Sequence, residues 1–268
     1  MMIVAEITTN HGGNFELLLT MTKLAKEAGA THVKIQKRNP ETFYSKEKLD
    51  SHYLSPFGDT FRDYRNALEL TPEQITKFDE YCKNIGIEWF ATVLDEESYD
   101  LIVQFNPEYI KIPSTISNHK DFHQYVAKNF KGTLIISTGM TDETYLDYLE
   151  QTFPQKKIIV QCNSAYPTPP EECNIAVIRE YLKRGHKAGY SSHDEGSLAC
   201  QLAIGAGATY IEKHINQHPQ DWQHFQEVAL DVELDFPNFV QDLQEAITRT
   251  GTGKKVINTS ENHKYMVS

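Results

Sequence analysis

Short β-prone runs alternate with segments of helical period along almost the whole chain, and this alternation restricts the fold more than any other feature. The strand-like runs are Ile3–Ile7, Thr31–Gln36, Trp89–Thr92, Tyr109–Ile112, Thr133–Ser137, Lys157–Gln161, Ala188–Ser191 and Ala208–Lys213. After the first run, Leu17, Leu18, Met21, Leu24 and Ala25 recur at helical spacing until Gly29. Thr71-Pro-Glu-Gln74 opens the second helix, with Thr71 as N-cap, and it ends near Gly86. The remaining helices read as Glu97–Phe105, Lys120–Lys128, Glu143–Thr152, Asn174–Lys183, Ser197–Ile204 and Pro237–Thr248. Eight strands alternating with eight helices predict a parallel (β/α)8 TIM barrel over residues 1–250, with 251–268 as a short polar tail. A doubly wound open sheet satisfies the same alternation.

One connection breaks the rhythm. From Lys37 to about Leu70 the chain carries Pro40, Pro56, Gly58 and many aromatics. That is too long for an ordinary connection and is expected to cover the substrate.

Polar residues gather directly after the strands, where either architecture places its chemistry. Gly189-Tyr-Ser-Ser-His193 and Ile211-Glu-Lys-His214 each end in a histidine and flank the Ser197–Gly207 helix. A strand, a helix and a parallel strand bring His193 and His214 to one sheet edge. Two such imidazoles can form a metal pair, the plain alternative being two unrelated surface histidines. Strand one ends near Glu6, with Asn10 and His11 in the loop beyond it. Strand two delivers Lys34 and, on the same face, Gln36; strand four delivers Lys111, followed by Ser114. Ser137 and Gly139 close strand five, Ser164 and Tyr166-Pro-Thr-Pro169 follow strand six, and Ser191 and Glu212 precede the two histidines. Two strand lysines among several hydroxyls suit a phosphorylated or carboxylated substrate, because ammonium groups neutralise oxyanions and hydroxyls satisfy their remaining lone pairs. The competing reading pairs those lysines with Glu6 and Glu212 and has no ligand.

Composition removes other classes. A formal net charge of −11 argues against nucleic-acid or membrane-surface binding. No apolar run approaches the roughly 18 residues of a membrane span, and the N-terminus has no signal-peptide pattern. Cys82, Cys162, Cys173 and Cys200 lack CxxC spacing and read as reduced structural thiols of a cytoplasmic protein.

The ordered motifs resemble the sialic acid synthases and their relatives that make nonulosonic acids. They are Ala5-Glu-Ile7 with Asn10-His-Gly12, Val33-Lys-Ile-Gln36, Ser55-Pro-Phe-Gly58, Lys111-Ile-Pro-Ser114, Ser137-Thr-Gly-Met140, Tyr166-Pro-Thr-Pro169 and the two histidine stretches. The resemblance runs from Ala5 to about Lys255. It implies a transferase of carbohydrate biosynthesis that condenses phosphoenolpyruvate with an open-chain sugar aldehyde, releasing phosphate and a 3-deoxy-2-keto acid. It also implies a divalent metal, Mn²⁺ with Mg²⁺ or Co²⁺ as alternatives, on His193 and His214. Lys34, Lys111, Ser114, Ser137, Ser164, Tyr166 and Ser191 would hold phosphoenolpyruvate. Gln36 would join the substrate site, and Glu6 and Glu212 would line it. A homodimer is implied in the same way.

Three departures fall on the acceptor side. Ile116 stands where the family has a sugar-contacting Glu, and Asp221-Trp-Gln-His224-Phe alters an Asp-His pair. The reading also expects the catalytic barrel without the family's C-terminal antifreeze-like domain. Lys37, Arg38, Arg62 and Arg65 read as solvent-exposed loop charges, the alternative being contacts to an acidic or phosphorylated acceptor. Two other functions fit the same residues: a non-catalytic subunit that binds phosphoenolpyruvate and metal, and a metal-dependent pyruvate aldolase.

Overall fold

The computed structural model describes residues 1–217 and 227–261. Its barrel strands are β1 (Met2–Thr8), β2 (His32–Lys37), β3 (Glu88–Val93), β4 (Tyr109–Ile112), β5 (Thr133–Ser137), β6 (Lys157–Gln161), β7 (Lys187–Ser192) and β8 (Tyr210–Asn216). All are parallel to their neighbours in this order, and β1 pairs with β8 to close the ring, with Glu6 opposite His214. Closure removes the open-sheet alternative. A two-residue strand, Leu230–Asp231, adds in parallel to the end of β8 and was not anticipated from the sequence.

The outer helices are α1 (Phe15–Glu27), α2 (Pro72–Ile85), α3 (Glu96–Ile102), α4 (Lys120–Asn129), α5 (Thr144–Thr152), α6 (Ile178–Lys183), α7 (Leu198–Ala206) and α8 (Phe236–Thr250). Local chemistry sets their limits. Thr71 and Gln74 form a reciprocal capping box at the start of α2, and Gly86 ends it in the left-handed conformation at φ 71°. Helix α6 starts later than expected, because Asn174 adopts φ 45° and Ile175–Val177 is a 3-10 turn.

Two apolar layers hold the barrel. Outward strand residues such as Ala5, Ile7, Val33 and Ile35 pack against the helices through Leu18, Met21, Phe78 and their neighbours. Inside, Val4, Phe90, Ile135, Ile158, Val160 and Tyr210 form a separate cluster that fills one end. Full burial of each large apolar side chain contributes about 1.5–3 kcal/mol. Two residues further along their strands, the same faces carry Glu6, Thr92, Ser137 and Glu212. The apolar plug therefore forms the floor beneath a polar layer.

The long connection after β2 is ordered. It holds two one-turn helices (Pro40–Phe43 and Lys46–Leu49), a hairpin (His52–Ser55 with Gly58–Thr60) and a helix (Phe61–Ala67). Tyr44, Tyr53, Phe61 and Tyr64 pack against one another with ring centroids 4.7–6.1 Å apart. A Thr60–Asp63 capping box starts its last helix. Phe43, Tyr44 and Arg65 from this segment line the mouth of the barrel cavity, so it does cover the site.

Candidate active site

A cavity of about 390 Å³ opens where the strands end, the barrel face on which loops assemble active sites. It is lined by the residues expected to bind substrate or metal, Glu6, Lys34, Gln36, Lys111, Ser114, Ser137, Ser164, Tyr166, Ser191, His193, Glu212 and His214, whereas Asn10, His11 and Gly139 do not line it.

Its floor is an alternating set of buried charges. Lys34 Nζ lies 2.6 Å from Glu6 and 3.7 Å from Glu212, and donates to Thr92 Oγ1 at 2.7 Å. Lys111 Nζ lies 2.5 Å from Glu212. Ser191 (2.7 Å) and Tyr210 also donate to Glu212. The two carboxyls are driven apart. Burial raises Glu6 above the ordinary carboxylate range, and the Glu212 charge adds to this against the pull of Lys34. Burial opposes ionisation of Glu212 too, but Lys111, Lys34 and the hydrogen bonds hold it well below that range. Lys111 is lowered, first by burial and then by Lys34, with Glu212 opposing. Glu212 is thus a fixed anion, whereas Glu6 can take and return a proton.

The histidines sit at the rim of this layer with ring centroids 5.4 Å apart. His193 Nδ1 donates to the Asn163 carbonyl, so Nε2 carries its lone pair and accepts from Tyr166 O–H at 3.0 Å. Thr8 Oγ1 donates its proton to Glu6 at 2.6 Å and must accept from His214 Nδ1–H at 3.0 Å. His214 therefore also presents Nε2 as its lone-pair nitrogen. Fixing Nδ1–H with an oxygen acceptor is how proteins orient metal-ligating imidazoles. Both rings are neutral: burial lowers His193 to about 4 and, with His193 nearby, takes His214 well below its usual range. Among the described residues no group of three or more His, Cys, Asp or Glu is arranged to hold a metal. The donor set fits an ion held by two imidazoles, with water and substrate oxygens completing its shell.

Hydroxyls form the third part. The Ser114 hydroxyl lies 3.1 Å from Cys162 Sγ. A Cβ on Gly139 would come within 2.6 Å of both Ser114 Oγ and Ser164 Oγ, so only glycine leaves room between them. The Tyr166-Pro167 peptide is cis, and the Tyr166 ring stacks on His193 at 4.1 Å. The Pro-rich loop is thus tied to the histidine pair.

Several site residues were missed from sequence. Thr8, at φ 57° beside an irregularity in the β1–β2 pairing, turns out of the strand to bridge Glu6 and His214. Thr92 and Tyr210 look like ordinary strand residues. Their spacing of two from Phe90 and from Glu212 was the available signal. Arg38 and Arg65 correct the reading of exposed loop charges, being 8% and 5% exposed, respectively. Lys37 is half-buried against Glu69, and Arg62 pairs with Glu41 and Asp50. Ile116 is fully buried in the outer apolar core, so that position offers the cavity no polar contact. Asp221 and His224 lie outside the described residues.

The sequence profile of the NeuB family matches residues 21–255. The chain belongs to the NeuB family. Among its relatives, human N-acetylneuraminate-9-phosphate synthase is 31% identical over 223 residues, covering 80% of this chain and 61% of that protein. The N,N'-diacetyllegionaminic acid synthase of Legionella pneumophila is 31% identical over 265 residues, covering 94% of this chain and 74% of the relative. This NeuB-family chain therefore spans about three-fifths of the human relative's length. The spore coat polysaccharide biosynthesis protein spsE of Bacillus subtilis superposes with a TM-score of 0.77 at 27% identity, over 96% of this chain and 71% of that one. A sialic acid synthetase of Leptospira borgpetersenii gives 0.84 at 23% identity over 96% and 87%, a likeness of fold. Among the described residues no helix is long and apolar enough to cross a membrane.

Proposed function

We propose that this NeuB-family protein condenses phosphoenolpyruvate with an open-chain sugar aldehyde, yielding a 3-deoxy-2-keto acid of nonulosonic type and phosphate. The observation that carries the reading is the sharing of one cavity by the Lys34/Lys111 layer, the serine cradle and the Nε2-presenting histidines. The names of the relatives support the same class of product.

Lys34 and Lys111 bind the carboxylate and phosphate of phosphoenolpyruvate, with Ser114, Ser137, Ser164 and Ser191 donating to the oxyanions. Tyr166 joins them in holding phosphoenolpyruvate, and Gln36 borders the acceptor. A divalent ion on His193 and His214, Mn²⁺ or else Mg²⁺ or Co²⁺, would supply Lewis acidity toward the aldehyde oxygen. The C–C bond forms between the enol carbon and the aldehyde carbon. Water adds at C2, and phosphate leaves with the C2–O bond electrons. Glu6 takes one proton from that water and returns it to the new alkoxide, and the remaining C2 hydroxyl proton goes to the departing phosphate as C2 becomes the ketone, so the proton count closes. Glu212 stays ionised and keeps both ammoniums charged in a buried site. The cytoplasm and a homodimer belong to the same reading.

Phosphate release from phosphoenolpyruvate with Mn²⁺ and a panel of aldoses and N-acylhexosamines tests it, with products identified by mass spectrometry. The expected product mass is the sum of phosphoenolpyruvate, aldehyde and water less phosphate. A folded, metal-loaded protein that releases no phosphate with any aldehyde would overturn the reading. Pyruvate consumption without phosphate release would replace it with an aldolase.

A further inference from the structure

Arg65 is 5% exposed and lines the site cavity, yet among the described residues its buried Nε and Nη2 have no hydrogen-bond partner. These two nitrogens form the edge of the guanidinium that binds a carboxylate or phosphate with two parallel hydrogen bonds. Leaving such donors buried and unused is costly, so the arrangement suits an acceptor that enters the cavity.

The surroundings define that acceptor. Arg38 is largely engaged: Nε lies 3.2 Å from Glu69 in an ion pair without hydrogen-bond geometry, Nη1 donates to Tyr44 O–H at 3.1 Å, and Nη2 donates to Gln36 at 2.7 Å. Glu69 also serves Lys37 at 3.0 Å. One carboxylate thus answers two cations, and Arg65 is the third. Its guanidinium carbon lies 5.7 Å from the Tyr44 and Tyr64 ring centroids, and the Tyr64 hydroxyl and the Glu69 charge also act on it, neither of which occupies the Nε–Nη2 edge. It reaches the cavity from a different element than the phosphoenolpyruvate lysines. From Glu6 the contacts run through Gln36 (3.3 Å) to Arg38, whereas Arg65 enters from the covering segment.

We infer that Arg65, with Arg38 beside it, anchors a terminal oxyanion on the acceptor, either a phosphate ester or a carboxylate at the end remote from the aldehyde. The inference rests on the condensation reading for the word acceptor, but the oxyanion site itself stands on the burial, geometry and charge of Arg65.

Mannose 6-phosphate, mannuronic acid and mannose test it, since they differ at the remote carbon. Calorimetry on the metal-loaded wild type without phosphoenolpyruvate is expected to show at least tenfold tighter binding of one anionic sugar than of mannose. Which of the two binds separates phosphate from carboxylate. Arg65→Gln should remove that preference, and Arg65→Lys, which keeps the charge without the fork, should recover only part of it. In turnover, the loss should fall on KM for the anionic sugar. Equal binding of all three sugars by the wild type overturns the inference without any variant. So does an intact preference in a folded Arg65→Gln, or a loss that falls on KM for phosphoenolpyruvate instead. If no aldehyde turns over while the Arg65-dependent preference persists, the condensation reading fails and the oxyanion site stands.

Discussion

Lys111 and Glu212 lie 101 residues apart in the chain and 2.5 Å apart inside the barrel. Both are buried, and removing one partner of such a pair costs about 3–5 kcal/mol. Lys34, 3.7 Å from Glu212, offsets part of that loss. Lys111→Met should therefore destabilise the protein by about 3 kcal/mol in denaturant unfolding, near the low end of that range. Adding Glu212→Gln should restore at least half of it, because the stranded charge is gone. Phosphate release should stay at least ~100-fold down in both variants. Recovery of turnover along with stability would make the pair structural.

Thr8 gives a second handle, because it touches His214 without being placed to hold the ion. Thr8→Val keeps the β-branched shape at φ 57° but removes the oxygen that fixes His214 Nδ1–H and donates to Glu6. Loss of such an outer partner typically costs about 10–100-fold in metal affinity. Titration with Mn²⁺ should show that loss, and His214→Ala a greater one. EDTA should abolish wild-type turnover and added Mn²⁺ restore it. Unchanged Mn²⁺ affinity in Thr8→Val would remove the histidine pair from the metal assignment.

Gly139 tests the serine cradle. Its added Cβ would meet the ends of two serine side chains, which can rotate away, as well as Cys162 Sγ at 3.0 Å. Gly139→Ala should leave the unfolding midpoint nearly unchanged, yet turn the Ser114 and Ser164 hydroxyls out of the cavity. The expected result is a rise of roughly tenfold or more in KM for phosphoenolpyruvate, equivalent to about 1.4 kcal/mol. An unchanged KM would place that substrate elsewhere.

The contrast between Lys34 and Arg65 shows what the sequence could disclose. Lys34 sits in a strand whose two-residue alternation decides which face it occupies, and strand count then decides its neighbours. The same logic brings His193 and His214 to neighbouring strand ends. Arg65 lies on a short helix whose position depends on a hairpin and an aromatic cluster folding back over the barrel, long-range packing that no local period encodes. Thr8 escaped for another reason: a non-glycine residue at positive φ is set by the strand's departure from regular pairing, and threonine gives no local sign of it. Ile116 shows the opposite limit, where a position matched by motif packs into the apolar core.

His11 makes stability depend on pH. It is 1% exposed, and its Nδ1 accepts from the Gly13 backbone N–H at 3.2 Å. Burial lowers its pKa from 6.5 to about 4. The unfolded chain therefore binds this proton more readily than the folded one between about pH 6.5 and about pH 4. The stabilisation is fully present above pH 6.5 and is lost as pH falls through that window, by up to ~3 kcal/mol at 1.36 kcal/mol per unit. Other buried histidines add slopes of their own, so the test is a difference. His11→Asn can still accept from Gly13 and does not titrate. It should be less stable than wild type at pH 7.5, and the gap should narrow steadily as unfolding is measured down to pH 4. Parallel curves for the two proteins would mean that His11 titrates alike in both states and that its burial leaves no mark on acid stability.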